Sequence, residues 1–269
     1  MKRIFVALIC LSPFAISAAP MVEIKDFNFN YSDPSGKGVA AEFSYGGLKN
    51  TGSVTIEVEK ILEDFKLKVY GSVAAEYELK KAPDLLTKAQ AIDLKAFNLK
   101  FKERLNISLA EASFVSPDEE LKLTNFNLDC SRDELMTELK DQVINGCISQ
   151  MSLKSARFSS QSFHESDLIS ALSSSLTNAV GSGVGIAGLD LKVNAGKYEL
   201  SAVVKAQISG KAKSHGQVSY DASKKLLTIK ITEVKFSVLN VTSKVFDELK
   251  KNESEKMKVK QPYVYLTLE

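Results

Sequence analysis

The chain of 269 residues has no tryptophan, only two histidines and only three cysteines. His164 and His215 lack a companion motif, and no Gly-x-Ser-x-Gly sequence occurs, so no histidine-dependent catalytic site is indicated. The carboxylates occur as adjacent pairs, and they do not form the clusters with His or Cys that bind metal ions. The sequence therefore predicts a protein that is not an enzyme and that has no metal site and no cofactor.

Arginine is also scarce, and neither sign of charge dominates. Beyond the leader described next, the only arginines are Arg104, Arg132 and Arg157. That leader holds Lys2 and Arg3, which leaves 33 basic against 33 acidic residues in the mature chain. Such a balance gives the mature chain no overall attraction to nucleic acid or to anionic lipid. The sequence therefore predicts no nucleic-acid partner.

Long hydrophobic runs are missing as well. Beyond residue 18 no eighteen consecutive apolar residues occur, so no transmembrane segment is expected in the mature chain. The start of the chain has a basic pair, a short apolar stretch over 4–16 and small residues at 17–19. This pattern predicts a signal peptide over residues 1–18, cleaved after Ala18. Cys10 follows a bulky Ile9, which does not fit a lipidation site. We therefore expect a periplasmic or secreted protein of a Gram-negative bacterium.

The chain does contain an eight-residue sequence motif that recurs several times, which we call the repeated phrase. It reads apolar-x-apolar, then a mostly polar pair, then apolar-polar-apolar. The copies are Val22–Phe29, Ile92–Leu99, Leu121–Leu128 and Met151–Phe158, with a looser copy at Ile229–Phe236. Each half alternates as a half-buried strand does, and the middle pair shifts the phase as a β-bulge would. The pattern predicts a mainly β (α+β) protein, a long curved antiparallel meander wrapped on a few short helices.

Two cysteines remain after cleavage of the leader, and an even number in an exported protein favours a disulfide between Cys130 and Cys147. The alternative is two buried free thiols. The capping-box sequence at 131–134 predicts a helix that begins at Arg132. A straight helix to Asn145 would separate the two cysteines by about 20 Å. The disulfide therefore requires the helix to stop near Lys140 and the chain to double back.

Residues 159–188 differ in composition, because they contain no Lys or Arg. Leucines at every fourth position, among them Leu172 and Leu176, predict a helix over about 166–180. That helix either covers the apolar face of the sheet and contacts a ligand, or is an ordinary packed helix. We divide the mature chain into a β-repeat half with one short helix (19–160) and a half with a helix and an antiparallel meander (161–269).

Three further elements are expected from their patterns. Alternation over 65–79 predicts one long strand that bends at Gly71. An apolar stripe predicts a helix over 242–255, and Pro262 separates it from a last strand at 263–268.

The order helix, meander, helix and final strand over roughly the last hundred residues resembles the YceB-like periplasmic lipoproteins. The likeness lies in the helix with Leu172 and Leu176, in Lys224–Ile229 and in Lys260–Leu266. It implies a short TULIP-like (tubular lipid-binding) fold, in which a curved sheet wraps a helix and leaves a groove for apolar ligands. That family is membrane-anchored, and this chain lacks the lipidation site. The repeated phrase is similar, more loosely, to the β-repeats of AsmA-type envelope proteins.

These expectations lead to three competing functions. The first is a non-enzymatic binder of a lipid or another hydrophobic ligand. The second is a structural or adaptor protein of the cell envelope, whose sheet packs on itself or on an envelope partner, and the third is a hydrolase without a recognisable site. We favour the first. The groove is expected to be lined by Leu172, Leu176, Leu200, Ala202, Val204, Ala206, Ile208, Ile229, Ile231, Val234 and Phe236.

Overall fold

A computed structural model describes residues 21–62, 64–79, 87–117, 120–160, 185–205 and 210–268. The predicted signal peptide and the predicted helix over 166–180 lie outside the described residues. The described chain forms one open antiparallel sheet of sixteen strands with two short helices, as the alternation predicted. By its internal contacts the chain divides into a first unit, up to Asn127, and a second unit, from Leu128 onward.

Most strands of the first unit have eleven to fourteen residues, and tight turns join most of them. The strands are β1 (Val22–Ser32), β2 (Ser35–Tyr45), β3 (Leu48–Ile61), β4 (Asp64–Tyr70), β5 (Ala75–Leu79), β6 (Ala91–Phe101) and β7 (Arg104–Val115). Strand β8 (Glu120–Ser131) crosses the division between the units.

The second unit continues the meander and carries both helices. Its elements are α1 (Leu139–Ser149), β9 (Gln150–Ser160), β10 (Gly185–Asn194), β11 (Lys197–Lys205), β12 (Gly210–Asp221), β13 (Leu226–Phe236), β14 (Leu239–Asn240), α2 (Thr242–Lys251), β15 (Met257–Lys260) and β16 (Tyr263–Thr267).

Strand order follows chain order with two exceptions. The order across the sheet is β15, β16, β13, β12, β11, β10, β9, β8, β7, β6, β1, β2, β3, β4 and β5, and β14 pairs with β13. Strand β1 therefore lies between β2 and β6, and β16 lies between β13 and β15. The remaining neighbours are consecutive, which is the arrangement that short antiparallel connections produce.

The repeated phrase forms the bulge that its phase shift predicted. Its fifth residue has a positive φ in three copies, at Asp26 (49°), Ala96 (51°) and Asn125 (50°). In the pairing of β1 with β6, the register shifts on both sides of Phe27. After the shift, the aromatic sixth residue faces the interior, and both Phe27 and Phe97 are buried. The mostly polar pair therefore marks the point at which each strand changes phase.

Asparagine side chains replace the backbone bonds that the paired bulges of β1 and β6 lose. The Asp26 amide donates to Asn98 Oδ1 at 3.0 Å, and the Ala96 amide donates to Asn28 Oδ1 at 3.0 Å. Each asparagine also donates back to the carbonyl of Asp26 or Ala96 within its own strand. The side chain of the seventh residue thus makes hydrogen bonds in place of the backbone bonds that the bulge interrupts.

The expected long strand over 65–79 is wrong, because β4 and β5 are antiparallel neighbours joined by a turn at 71–74. The side chain of Asn50, which is fully buried, holds this turn. Asn50 Oδ1 accepts from the Val73 amide at 2.7 Å, and Asn50 Nδ2 donates to the Val73 carbonyl at 2.8 Å. A single strand would leave the buried amide of Asn50 without these partners.

Cys130 and Cys147 form a disulfide, with their Cα atoms 4.7 Å apart, as predicted. The expected helix start at Arg132 is wrong, because α1 begins at Leu139 and carries Cys147 in its last turns. The chain doubles back before the helix and not after it. Gly146 permits this approach, since a Cβ at that position would collide with the Ser131 carbonyl.

Local hydrogen bonds explain why residues 132–138 do not become helical. Asp133 Oδ1 accepts from the Leu135 amide at 3.0 Å, which is a turn and not a helix cap. Arg132 Nε donates to Gln142 Oε1 at 2.8 Å, and Gln142 Nε2 donates to the Met136 carbonyl at 2.7 Å. Arg132 and Asp133 of the capping box are therefore bonded to Gln142 of α1 and to the residues that follow them, and the segment folds as a loop against α1.

Helix α2 packs on one edge of the second unit and ends at Lys251, four residues before the predicted end. It buries Val245, Phe246 and Leu249 against Ile231 and Val234 of β13. Met257 and Val264 complete this core cluster.

Candidate functional site

The strands of the second unit bring several predicted groove residues onto one face. In the pairings of β12 with β11 and with β13, Ser214 lies opposite Leu200 on one side and Val234 on the other. Ala212 likewise lies between Ala202 and Phe236. Directly paired residues in an antiparallel sheet project to the same side.

A bulge keeps the two halves of β13 on that same face. The pairing of β12 with β13 shifts between His215 and Gly216, so that Ile231 is opposite Gly216 and Ile229 is opposite Val218. Without the extra residue, Ile229 and Ile231 would project to the other side from Val234 and Phe236. The looser copy of the phrase therefore also carries a register shift, although its fifth residue, Glu233, has no positive φ.

Five predicted groove residues fall on parts that the structure does not describe in full. Leu172, Leu176, Ala206 and Ile208 lie outside the described residues. For Val204 the structure describes the strand backbone, which pairs with Gly210, but not the side chain. The candidate site is therefore built from β11, β12 and β13.

Helix α2 covers some of the predicted groove residues. Ile231 and Val234 are only 7 % and 6 % exposed, because Val245, Phe246 and Leu249 cover them. Ile229 packs against the same cluster. These three predicted groove residues thus belong to the core beneath α2. Leu200, Ala202 and Phe236 lie beside it, and of these Ala202 is itself only 7 % exposed.

Over residues 210–216, β12 supplies only small residues to this face. Its burial alternates residue by residue, and the half-buried members over 210–216 are Gly210, Ala212, Ser214 and Gly216. We call these four residues the β12 strip. The alternation was readable in the sequence, but nothing marked β12 as the strand that lies between two apolar strands.

Aromatic rings cover both ends of the β12 strip. A Cβ on Gly210 would lie 2.5 Å from the ring of Phe236, and one on Gly216 would lie 2.8 Å from the ring of Tyr198. Between the rings, Ala212 and Ser214 are half-buried, and the hydroxyls of Tyr198 and Ser214 are 3.2 Å apart. The result is a shallow apolar surface with one polar pair beside it.

A network of hydrogen bonds and ion pairs fixes α1 against the end of β12 that carries Tyr220. We call this network, which the sequence did not suggest, the polar lock. Asp141 accepts from Tyr220 Oη at 2.7 Å and from Lys225 Nζ at 2.8 Å, and Lys225 also reaches Glu138 at 2.7 Å. Asp141 is separated from Lys225 by 84 positions in the chain, so no local pattern links them.

The electrostatics of this lock fit a structural role. Burial alone raises the pKa of Asp141, but the hydrogen bonds from Lys225 and Tyr220 outweigh burial and lower it. Burial, followed by the bond to Asp141, raises the pKa of Tyr220 to about 12. The bond to Asp141 raises the pKa of Lys225. Each group thus keeps its usual charge state near neutral pH.

Chemistry beyond binding has little support in the described residues. No group of three His, Cys, Asp or Glu side chains there is arranged to hold a metal ion. His215 is exposed on the opposite side of β12 from the strip, and His164 lies outside the described residues. Neither α1 nor α2, the helices described, has the length and apolar character needed to cross a bilayer.

Comparisons of the chain with protein families, with curated proteins and with solved structures give no match.

Proposed function

We propose that this is a non-enzymatic, exported (periplasmic) protein that binds a lipid or another apolar ligand on the β12 strip. The observation that carries the proposal is the run of small, half-buried residues between two apolar strands. Small side chains let a hydrocarbon approach the backbone closely, while Leu200 and Phe236 supply apolar walls. The resemblance to YceB-like proteins points to the same class of ligand.

The contacts of α1 and α2, the helices in the described part of this unit, do not extend over Ala212. Helix α1 contacts β10 and β12, where Tyr220 holds it, and α2 contacts β13 and β15. Along β12, Tyr220 lies under α1, and Gly216 and Ser214 lie beside Ile231 and Val234, which α2 covers. Ala212 lies beyond these contacts, and both Ala212 and Ser214 are half-buried. A ligand that covers them would remove apolar surface from water at about 25 cal/mol per Å². The Tyr198 and Ser214 hydroxyls would hydrogen-bond a polar end of that ligand.

A displacement assay with a fluorescent apolar probe tests the proposal. Ala212→Phe fills the strip, and we expect probe affinity to fall by at least about tenfold, the effect of about 1.4 kcal/mol. Gln217→Phe is the matched control, because Gln217 is an exposed residue of the same strand on the opposite side. It should bind the probe as the parent does.

The proposal is contradicted if folded Ala212→Phe binds the probe as tightly as the parent. It is also contradicted if Gln217→Phe loses as much affinity as Ala212→Phe, because the probe would then not distinguish the two sides of β12.

The second candidate is a structural or adaptor protein of the cell envelope with a self-packed sheet. The burial of Ile231 and Val234 under α2 favours it, since that part of the sheet already has its own cover. On this alternative, protein isolated from its own periplasm carries no lipid, and Ala212→Phe changes only an interaction with an envelope partner.

A further inference from the structure

The hairpin between β13 and β14 ends in two apolar residues that face water. Val238 is 89 % exposed and Leu239 is 65 % exposed. The turn is tight, because Phe236 pairs with Leu239 and Ser237 has a φ of 54°. Glycine, asparagine and aspartate are the usual residues of such turns. A single exposed apolar residue needs no explanation. Ile61 and Leu62 form a second exposed pair at the end of β3, so the charge around Val238 and Leu239 is what distinguishes this turn.

Exposed lysines surround this pair. The Ser237 amide donates to the Lys211 carbonyl at 2.8 Å, so Lys211 lies beside the turn. Lys213 is directly opposite Lys235 in the pairing of β12 with β13. Lys244 is exposed in the first turn of α2, a few residues beyond the hairpin. We call Val238, Leu239 and these four lysines the basic tip.

Few acidic residues form ion pairs with the lysines of the basic tip. Lys235 pairs with Glu233 at 2.8 Å. Among the described residues, no ion pair involves Lys211, Lys213 or Lys244. The whole sequence has a formal net charge of only +2, so the basic tip is a local excess that the overall charge hides.

The other end of β13 is different. There Lys225 is paired with both Glu138 and Asp141, and Lys224 is paired with Asp221. An eleven-residue strand separates the two ends, which is about 33 Å at ~3.3 Å per residue. The lysines at the two ends of β13 therefore differ in how many acidic partners they have.

We propose that the basic tip docks the protein on the surface of an anionic lipid bilayer. Lysines attract anionic headgroups, and a short apolar projection gains free energy when it enters the interface between headgroups and acyl chains. The lysines of β12 project away from the β12 strip, so docking needs no bound ligand and leaves Ala212 and Ser214 uncovered.

Vesicle co-sedimentation of the full mature protein is the test. The vesicles are made of phosphatidylcholine alone or of phosphatidylcholine with phosphatidylglycerol. We expect binding only to the vesicles that contain phosphatidylglycerol, and a loss of binding as salt is raised, because surface charges are then screened.

Paired variants separate the charge from the apolar contact. Lys211→Gln with Lys213→Gln should lower partitioning roughly 25-fold, about five-fold for each lysine. Lys258→Gln with Lys260→Gln is the matched control, because both are exposed lysines of β15 and have no ion pair within the described residues. Val238→Ser with Leu239→Ser should lower partitioning by more than about tenfold. Its control is Leu135→Ser, since Leu135 is 93 % exposed before α1.

Three outcomes would overturn the proposal. The first is equal binding to neutral and anionic vesicles, or none to either. The second is that the basic-tip variants partition as their controls do. The third is a concentration-dependent dimer in analytical ultracentrifugation that Val238→Ser with Leu239→Ser abolishes, because the tip would then receive a second copy. None of these results bears on probe binding at Ala212, so a failure here is separate from a failure of the proposed function.

Discussion

The two units use the same alternating strands but fill their covered faces differently. In the first unit large side chains occupy the covered positions of β1 and β6, and Phe27, Phe29, Tyr31 and Phe97 are at most 6 % exposed. In the second unit β12 places small, half-buried residues at the corresponding positions, with apolar strands on both sides. Period-two alternation therefore fixes which side is covered, while side-chain volume determines whether that side is packed or left open.

Glycine under an aromatic ring occurs in both units, with different effects. In the first unit Cβ atoms on Gly36 and Gly38 would lie 2.8 Å from Phe29 and 2.5 Å from Phe27, and these rings join the core. In the second unit Phe236 covers Gly210 at the end of the β12 strip and stays half-buried. The same contact thus closes a core in one unit and borders a shallow surface in the other.

The difference in packing between the two units is tested most directly at Phe97, which is fully buried. Phe97→Ala should lower the free energy of unfolding by about 3–5 kcal/mol, because it leaves a large cavity. Phe236→Ala, at the border of the strip, should cost less than about 2 kcal/mol. Urea unfolding of both variants measures the difference, and equal losses would mean that the two faces are packed alike.

Removal of the disulfide should have the next largest effect. Cys130 and Cys147 close a loop with a sequence separation of 17. Replacing both with alanine should lower the free energy of unfolding by about 3 kcal/mol. Urea unfolding of the parent with and without a reducing agent checks this. Two free thiols in the denatured, unreduced mature protein would contradict the disulfide itself.

The polar lock of the second unit predicts that stability depends on pH in the acidic range. The folded pKa of Asp141 is lowered, so its contribution is present above its ordinary value of 3.8 and is lost as the pH falls through the folded value. At neutral pH, Asp141→Asn should cost about 1–3 kcal/mol. Below about pH 4 the parent should lose stability more steeply than Asp141→Asn, since the variant has no carboxylate left to protonate. Parallel slopes in urea unfolding between neutral and acidic pH would contradict the lock.

The smallest expected effect concerns the bulges of the first unit. Asn98→Ala removes the acceptor of the Asp26 amide and the donor to the Ala96 carbonyl, and should cost about 1 kcal/mol. Lys100→Ala, an exposed change in the same strand, should be nearly neutral. If urea unfolding shows no difference between these variants, the asparagines do not support the bulges.

Local patterns were sufficient for the strands and the bulges. The alternation of Tyr198, Leu200 and Ala202 identified β11, and the phase shift within the repeated phrase identified the positions of Asp26 and Ala96. These features depend on residues that are adjacent in the chain. The small volume of the β12 side chains could also be read from the sequence. Whether it leaves a surface open depended on which strands lie beside β12.

Features that depend on distant contacts could not be predicted. The capping-box residues near Arg132 bond to Gln142 and fold as a loop, so α1 begins later than its pattern indicated. Lys225 forms an ion pair with Asp141, which lies 84 residues earlier in the chain. Ile231 and Val234 have the alternation of a groove wall, but α2 covers them. In each case a tertiary contact, absent from any local window, changed the outcome.

Native mass spectrometry of the protein isolated from its native source tests the central claim most directly. The account predicts that the parent retains a lipid or another apolar molecule, that Gln217→Phe retains it as well, and that Ala212→Phe is isolated without it. A parent protein free of any bound molecule, or an Ala212→Phe protein that still carries one, would contradict ligand binding on the β12 strip.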